Sequence, residues 1–261
     1  MMASTLRQFG GRVVYGVRRR IYGDLDHRFQ GSFSSHAEAT AAVRADRHAS
    51  YDHDGVADVA YEFMASVHAW DYPILFWLAR LTPGAGRILD AGGHMGTKYR
   101  AFRDHLDLPD DFDWAIYDVP AIVRAGRIRA EQEGLSALSF HDRLEDTPPS
   151  PILLCSGLLQ YLDIPLSELV ERLPQKPRHL LLNKVATRDG PTVVTHEIFP
   201  EADIPYAVRN RDEFEASLSA MGYRIRDIWT ISELSYCHRA YGQSVSRGYY
   251  AELAGAVCRT G

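Results

Sequence analysis

Cysteine is scarce in this chain. Three occur in 261 residues, Cys155, Cys237 and Cys258. The odd number and the lack of C-x-x-C spacing argue against a disulfide framework and a cysteine zinc site, and no metal is expected elsewhere. Long apolar runs are missing as well. The most apolar stretch, Tyr72 to Leu81, is too short to span a bilayer and contains Pro73. Met1 to Tyr22 lacks the apolar segment of a secretory signal. A reducing, cytoplasmic setting without membrane insertion is the expectation. Positive charge is not in excess. Against 29 Lys and Arg stand 34 Asp and Glu, a net charge of -5, which leaves no basic field for nucleic acid. Arginine far outnumbers lysine, a bias that carries no functional reading by itself. Internal repeats, a P-loop and a G-x-S-x-G elbow are all absent. Asp24-Leu25-Asp26-His27 and Asp52-His53-Asp54 read as solvated loops, since adjacent residues rarely converge on one ion. Arg18-Arg19-Arg20 reads as one face of a solvated helix.

What is present divides near Pro83-Gly84 and Gly86. Residues 1–83 are expected to form a helical extension or cap. Helices are placed after Ser35, whose side chain suits an N-cap with Glu38 at the capping-box position, from Val56 to Trp70, and from Ile74 to Arg80. Residues 84–261 are expected to form the catalytic domain. Short apolar runs there alternate with helical patterns: strands at Arg87 to Asp90, Trp114 to Tyr117, Leu138 to Phe140, Ile152 to Cys155 and His179 to Leu182. A helix is expected from Pro120, which suits a first turn, to about Glu133. Another is placed from Pro165 to Leu173, and a last one on the face Phe214, Leu218, Met221. Two closing strands, Tyr223 to Trp229 and Gly248 to Val257, suit an antiparallel hairpin. The predicted fold is therefore α/β, Rossmann-like, with a mostly parallel seven-stranded sheet and a C-terminal antiparallel hairpin.

The strongest chemical signal is Asp90-Ala91-Gly92-Gly93-His94-Met95-Gly96, a strand running into a glycine-rich turn that opens a helix. Glycines let backbone approach a ligand closely, and a helix start offers free N–H groups. The turn fails the strict G-x-G-x-x-G spacing. Asp90, immediately before it, would repel a pyrophosphate but suits a cationic sulfonium and its ammonium group. Asp118, at the end of the next strand, suits the two ribose hydroxyls, with Val119 beside it; the bland alternative is a helix cap. Asp142 after the third strand is placed near an adenine amino group. Ser156 and Gly157, after the fourth, border the methionine part of the same cofactor, S-adenosylmethionine. A Gly92→Val change is expected to remove binding and spare the fold.

These segments resemble a known group. Leu89 to Gly96, Tyr117-Asp118-Val119-Pro120 and Leu158-Leu159-Gln160-Tyr161-Leu162 together resemble a methyltransferase family known from a leptospiral prototype. Phe29-Gln30-Gly31-Ser32-Phe33, Ala37-Glu38-Ala39 and Ile204-Pro205-Tyr206-Ala207-Val208 extend the resemblance to most of the chain. It implies a class I methyltransferase fold and a role in natural-product or surface-polysaccharide biosynthesis. A wider similarity joins the chain to small-molecule O-methyltransferases. Many of those place a catalytic histidine after the fourth strand, where this chain has Gln160. Glutamine cannot act as a base at neutral pH.

Base candidates are therefore His94, His141 and His196, with His94 best placed, inside the glycine turn. Gln160 and Tyr161 are expected to orient the acceptor. Aromatics of the first segment, among them Tyr51, Tyr61 and Trp70, and residues 188–209, including His196 and Tyr206, are expected to wall the acceptor pocket. The expected partner is a small-molecule or sugar acceptor, with a homodimer left open. Two alternatives stand beside this reading: an NAD-dependent oxidoreductase on a similar sheet, and a catalytically silent cofactor-binding scaffold.

Overall fold

The computed structural model describes residues 28–49, 61–199 and 202–255. The Asp24 to His27 and Asp52 to Asp54 clusters, Arg18 to Arg20, Tyr51 and Cys258 lie outside these ranges. Five parallel strands form the centre. They are β2 (Arg87–Ala91), β3 (Asp113–Tyr117), β4 (Leu138–His141), β5 (Ile152–Ser156) and β6 (His179–Arg188), paired in the order β4-β3-β2-β5-β6. Beyond β6, β10 (Gly242–Leu253) runs antiparallel to it and to β9 (Tyr223–His238). This is the expected seven-stranded sheet with its closing hairpin.

Strands covered on both faces read as unbroken apolar runs rather than alternations. Ile88, Leu89, Leu153, Leu154, Leu180 and Leu181 are accordingly buried. One face packs against Leu166, Leu169 and Val170 of α6 (Leu166–Glu171) and Phe214 and Leu218 of α7 (Arg211–Ala220). The other packs against Ile74, Leu75 and Leu78 of α3 (Tyr72–Leu81), Phe102 of α4 (Thr97–Phe102) and Val123 of α5 (Pro120–Glu133). Helix α5 has the expected bounds because both ends are marked chemically: Pro120 in its first turn, and Gly134 in a left-handed C-cap at φ 67°.

Three strands were not expected. β7 (Val193–Ile198) and β8 (Asp203–Asn210) form an antiparallel pair, and β1 (Phe29–Phe33) adds to β7. This small sheet continues from the end of β6 through Thr187 and Arg188, which pair with Arg209 and Asn210. The first segment is therefore not wholly helical. It holds β1 beside the short helices α1 (His36–Ala41) and α2 (Tyr61–Met64) and a 3-10 turn, Ala69–Asp71. A five-residue strand with Gly31 at φ 78° has little periodicity, and its partner lies more than 160 residues away. The Ser35 cap is present, its Oγ accepting the Glu38 N–H at 3.1 Å. The return bond of the box comes from Ser34, whose N–H donates to Glu38 at 2.7 Å. The first closing strand starts at Tyr223 as expected but runs on to His238, and the second starts earlier than expected, at Gly242, because the hairpin turns at residues 239–241.

Candidate cofactor and acceptor site

The site is built at the carboxyl ends of β2, β3, β5 and β6, where open α/β sheets form their crevice. After β2 the chain turns through Gly92 (φ 72°), His94 (φ 55°) and Gly96 (φ 79°), all left-handed. Gly93 is constrained by closeness. A Cβ there would stand 2.8 Å from Asp90 Cγ, so the turn folds directly over the Asp90 carboxyl group. Ala91 is buried, and the Gly92 N–H donates to the Tyr117 carbonyl at 2.8 Å. Gly92 itself faces protein. A Cβ on it would lie 2.9 Å from Leu158 Cβ. This corrects the expectation for Gly92→Val: the branched side chain strains a left-handed backbone and collides with Leu158. Thermal or urea unfolding should therefore show a loss of roughly 1–3 kcal/mol; an unchanged midpoint would contradict this.

Asp90 is 1% exposed. The Trp114 indole N–H donates to its Oδ2 at 3.1 Å. Burial pushes its pKa up to about 7, against the opposing pull of the Trp114 bond and of Lys98. Such a carboxyl group gains most from a cation placed beside it. Asp118 spans two elements. Its Oδ2 accepts the His94 N–H at 2.8 Å and its Oδ1 the Val119 N–H at 2.8 Å. The N-cap position of α5 is Val119, so Asp118 stands outside the cap and braces the glycine turn against the end of β3. The His141 carbonyl accepts the Asp118 N–H at 3.1 Å, which draws in the loop after β4. Asp142 is exposed in that loop.

On the other side of Asp90, β5 ends at Ser156 and the loop after it carries Gly157 (φ 93°), Gln160 and Tyr161. The Gly157 N–H donates to the Asn183 carbonyl at 3.0 Å. Ser156 Oγ and Gln160 Oε1 are buried without a hydrogen-bond partner among the described residues. Orphaned polar atoms of this kind call for an explanation, and a ligand in the crevice supplies one. The Tyr161 hydroxyl donates to Glu197, which also holds Arg28. Glu197 is fully buried.

His196 is corrected as a candidate base. Its Nε2 meets the Ala39 carbonyl at 2.8 Å and its ring packs on Phe33 at 4.7 Å. Successive strand residues face opposite ways; Glu197, not His196, points toward Tyr161. His94 lies on the β3 side of the turn, its ring 6.5 Å from that of Tyr61.

The sequence reading missed four residues. Lys98, in α4, forms a buried ion pair with Asp71 at 2.8 Å. Asp71 also accepts the His68 N–H at 3.1 Å, while its Oδ1 is buried with no hydrogen-bond partner among the described residues. Lys184, near the middle of β6, has φ 60°. Glu197 completes the set. No motif marks them. One signal did exist: the chain has only three lysines, Lys98, Lys176 and Lys184, against 26 arginines, and two of the three stand at this site. The described residues contain no group of His, Cys, Asp and Glu suited to a metal, and none of their helices is long and apolar enough to cross a membrane.

No protein-family model matches the chain. No curated protein matches it either. Solved structures do. The N-terminal domain of EvdMO1 in the presence of SAH and D-fucose superposes with a TM-score of 0.51 at 15% identity, over 72% of this chain and 84% of that one. The same domain with SAH bound gives 0.51 at 16%, over 74% and 84%. At these identities the likeness is one of fold alone, the α/β, Rossmann-like sheet with its closing hairpin.

Proposed function

We propose that this chain is an S-adenosylmethionine-dependent methyltransferase. Its acceptor would be an oxygen or nitrogen of a small molecule, of natural-product or saccharide type. The observation that carries the reading is Asp90: a buried carboxyl group, held near neutrality by desolvation, under a glycine turn at the end of the central strand. The site's chemistry fits the cofactor. Asp90 would face its cationic end, Asp118 the ribose, Asp142 the adenine amino group, and Ser156 and Gly157 the methionine part. Val119, Ala91, Gly92, Gly93 and Gly96 would shape the cradle. When bound, the cofactor supplies a methyl group already activated on a sulfonium. The chain's task is then to align an acceptor and exclude water. Gln160 and Tyr161 would orient the acceptor, and the N-terminal segment 1–83 with β7 and β8 would wall its pocket over the domain 84–261. The neighbouring EvdMO1 domain, with SAH and D-fucose in its crystal, fits a sugar-sized acceptor.

A thermal-shift comparison tests the reading. S-adenosylhomocysteine should raise the unfolding temperature and NAD should not; the reverse pattern would replace the reading with a dinucleotide one. Asp118→Ala should weaken S-adenosylhomocysteine binding by about 1–3 kcal/mol, through lost ribose bonds and a loosened turn. Unchanged calorimetric affinity in that variant would remove Asp118 from the site.

A further inference from the structure

Lys184 sits on a built irregularity of the sheet. Tyr249 of β10 pairs with Leu182 and Arg247 with Val185, so β6 carries one extra residue, at Asn183-Lys184, opposite Gly248. This is a β-bulge, a device that re-aims a side chain beside a site. It puts Lys184 at φ 60°, backbone that a lysine adopts only when its surroundings enforce it. The enforcement is visible. The Trp229 indole donates to Asn183 Oδ1 at 3.1 Å, and Asn183 Nδ2 donates to the Trp70 carbonyl at 3.2 Å. Gly248 is what admits Trp229: a Cβ there would lie 2.0 Å from the indole.

The re-aimed side chain lies over the loop after β5. The Gly157 Cβ position is 3.5 Å from Lys184 Cδ and 3.7 Å from Gln160 Nε2. The amine is 5.8 Å from the Trp70 ring centre. Lys184 as a whole residue is half-buried, and no hydrogen bond or ion pair from its amine is found among the described residues. The orphaned Ser156 Oγ and Gln160 Oε1 flank Gly157 in the chain segment that this side chain overlies. Four charged groups act on it: Lys98 from α4 and Arg28 from before β1 disfavour its proton, while Asp71 from the turn before α3 and Asp90 from β2 favour it. Burial outweighs them all and holds the ammonium down to about 8. A lysine kept to anchor an anion gains by staying charged; this one is desolvated beside two other cations.

We propose that Lys184 is the general base of methyl transfer to a hydroxyl acceptor, occupying functionally the place where Gln160 cannot serve. The inference rests on the methyltransferase reading above. As the acceptor oxygen attacks, the new C–O bond forms and the methyl–sulfur bond breaks. The bond pair returns to sulfur, leaving neutral S-adenosylhomocysteine. The hydroxyl proton passes to Lys184 Nζ and then to solvent. A neutral amine also tolerates the neighbouring sulfonium, which an ammonium would repel.

The test needs no acceptor. Competitive acetylation of the full chain between pH 6 and 11, read by mass spectrometry, gives each lysine's titration midpoint. Lys184 is expected near pH 8, against about 10.4 for an ordinary lysine. With S-adenosylmethionine bound its midpoint should fall by about half a pH unit or more below that with S-adenosylhomocysteine, because only the former carries the cation. At pH 7, Lys184→Met should raise the affinity ratio of S-adenosylmethionine to S-adenosylhomocysteine about threefold or more, whereas Lys184→Arg should lower or keep it. A midpoint near 10, or one indifferent to which ligand is bound, overturns the proposal. If neither ligand binds the wild-type chain, the methyltransferase reading fails and takes this one with it. That outcome is distinct from binding with an unresponsive lysine, which overturns the base alone.

Discussion

Replacing Asp71 with alanine should cost the fold about 3–5 kcal/mol, the usual consequence of stranding one member of a buried ion pair. Asp71 is wholly buried and Lys98 is 4% exposed. The ammonium left behind would have no carboxylate within bonding distance among the described residues, since Asp71 is the one it holds, at 2.8 Å. The change also removes the acceptor for the His68 N–H, so the entry to α3 loosens at the same time. Urea unfolding measures the loss. The pair is poor evidence for stability in its own right, because replacing both members with apolar residues is often neutral. The double variant Asp71→Leu/Lys98→Met should therefore recover most of what the single one loses. A single-variant loss below about 1 kcal/mol would mean that water reaches Lys98, and that this end of the crevice is wetter than its packing implies.

Asp90→Asn should act in opposite directions on stability and on binding. Between about pH 4 and pH 7 the folded chain keeps a proton on Asp90 that the unfolded chain has released. Its contribution is thus full below the unfolded carboxyl value and is lost as pH rises through about 7. At pH 8 the wild-type chain bears the whole penalty of a buried carboxylate. Asparagine, which can still accept the Trp114 bond, should stabilise the fold there by about 2 kcal/mol and do little at pH 4. Binding of a cationic cofactor should meanwhile fall roughly 100-fold, with the loss of charge-assisted bonds. Denaturation at the two pH values and calorimetry at pH 8 check both halves. A variant that is less stable at pH 8, or that binds as well as wild type, would remove Asp90 from its assigned role.

The sheet and its crevice were legible in the sequence where chemistry punctuates the chain. Pro120 and Gly134 bracket α5, and the apolar runs of β2, β5 and β6 are those of buried parallel strands. Asp90 and the glycine turn were legible for the same reason, since a carboxylate before Gly92-Gly93 disfavours phosphate. The small sheet was not. β1 is five residues long, and β7 carries His196 and Glu197, whose buried side chains are held by α1, Arg28 and Tyr161, none of them neighbours in sequence. Lys184 was invisible for a different reason. Its meaning lies in a left-handed backbone set by Trp229, Asn183 and Gly248, contacts that no local pattern announces. Gln160 was singled out by position, and the structure adds that its Oε1 is buried without a partner among the described residues.

The central claim is that Asp90 anchors a cation in this crevice. Titrating S-adenosylmethionine into the chain at pH 6, in two buffers of different ionisation enthalpy, tests it most directly. Binding should release about one proton more from the wild type than from Asp90→Asn, because the ligand's cation forces Asp90 to ionise below its own pKa of about 7. NAD under the same conditions should give no heat of binding. Equal proton release from the two proteins, or tight NAD binding with none of the sulfonium, would contradict the account.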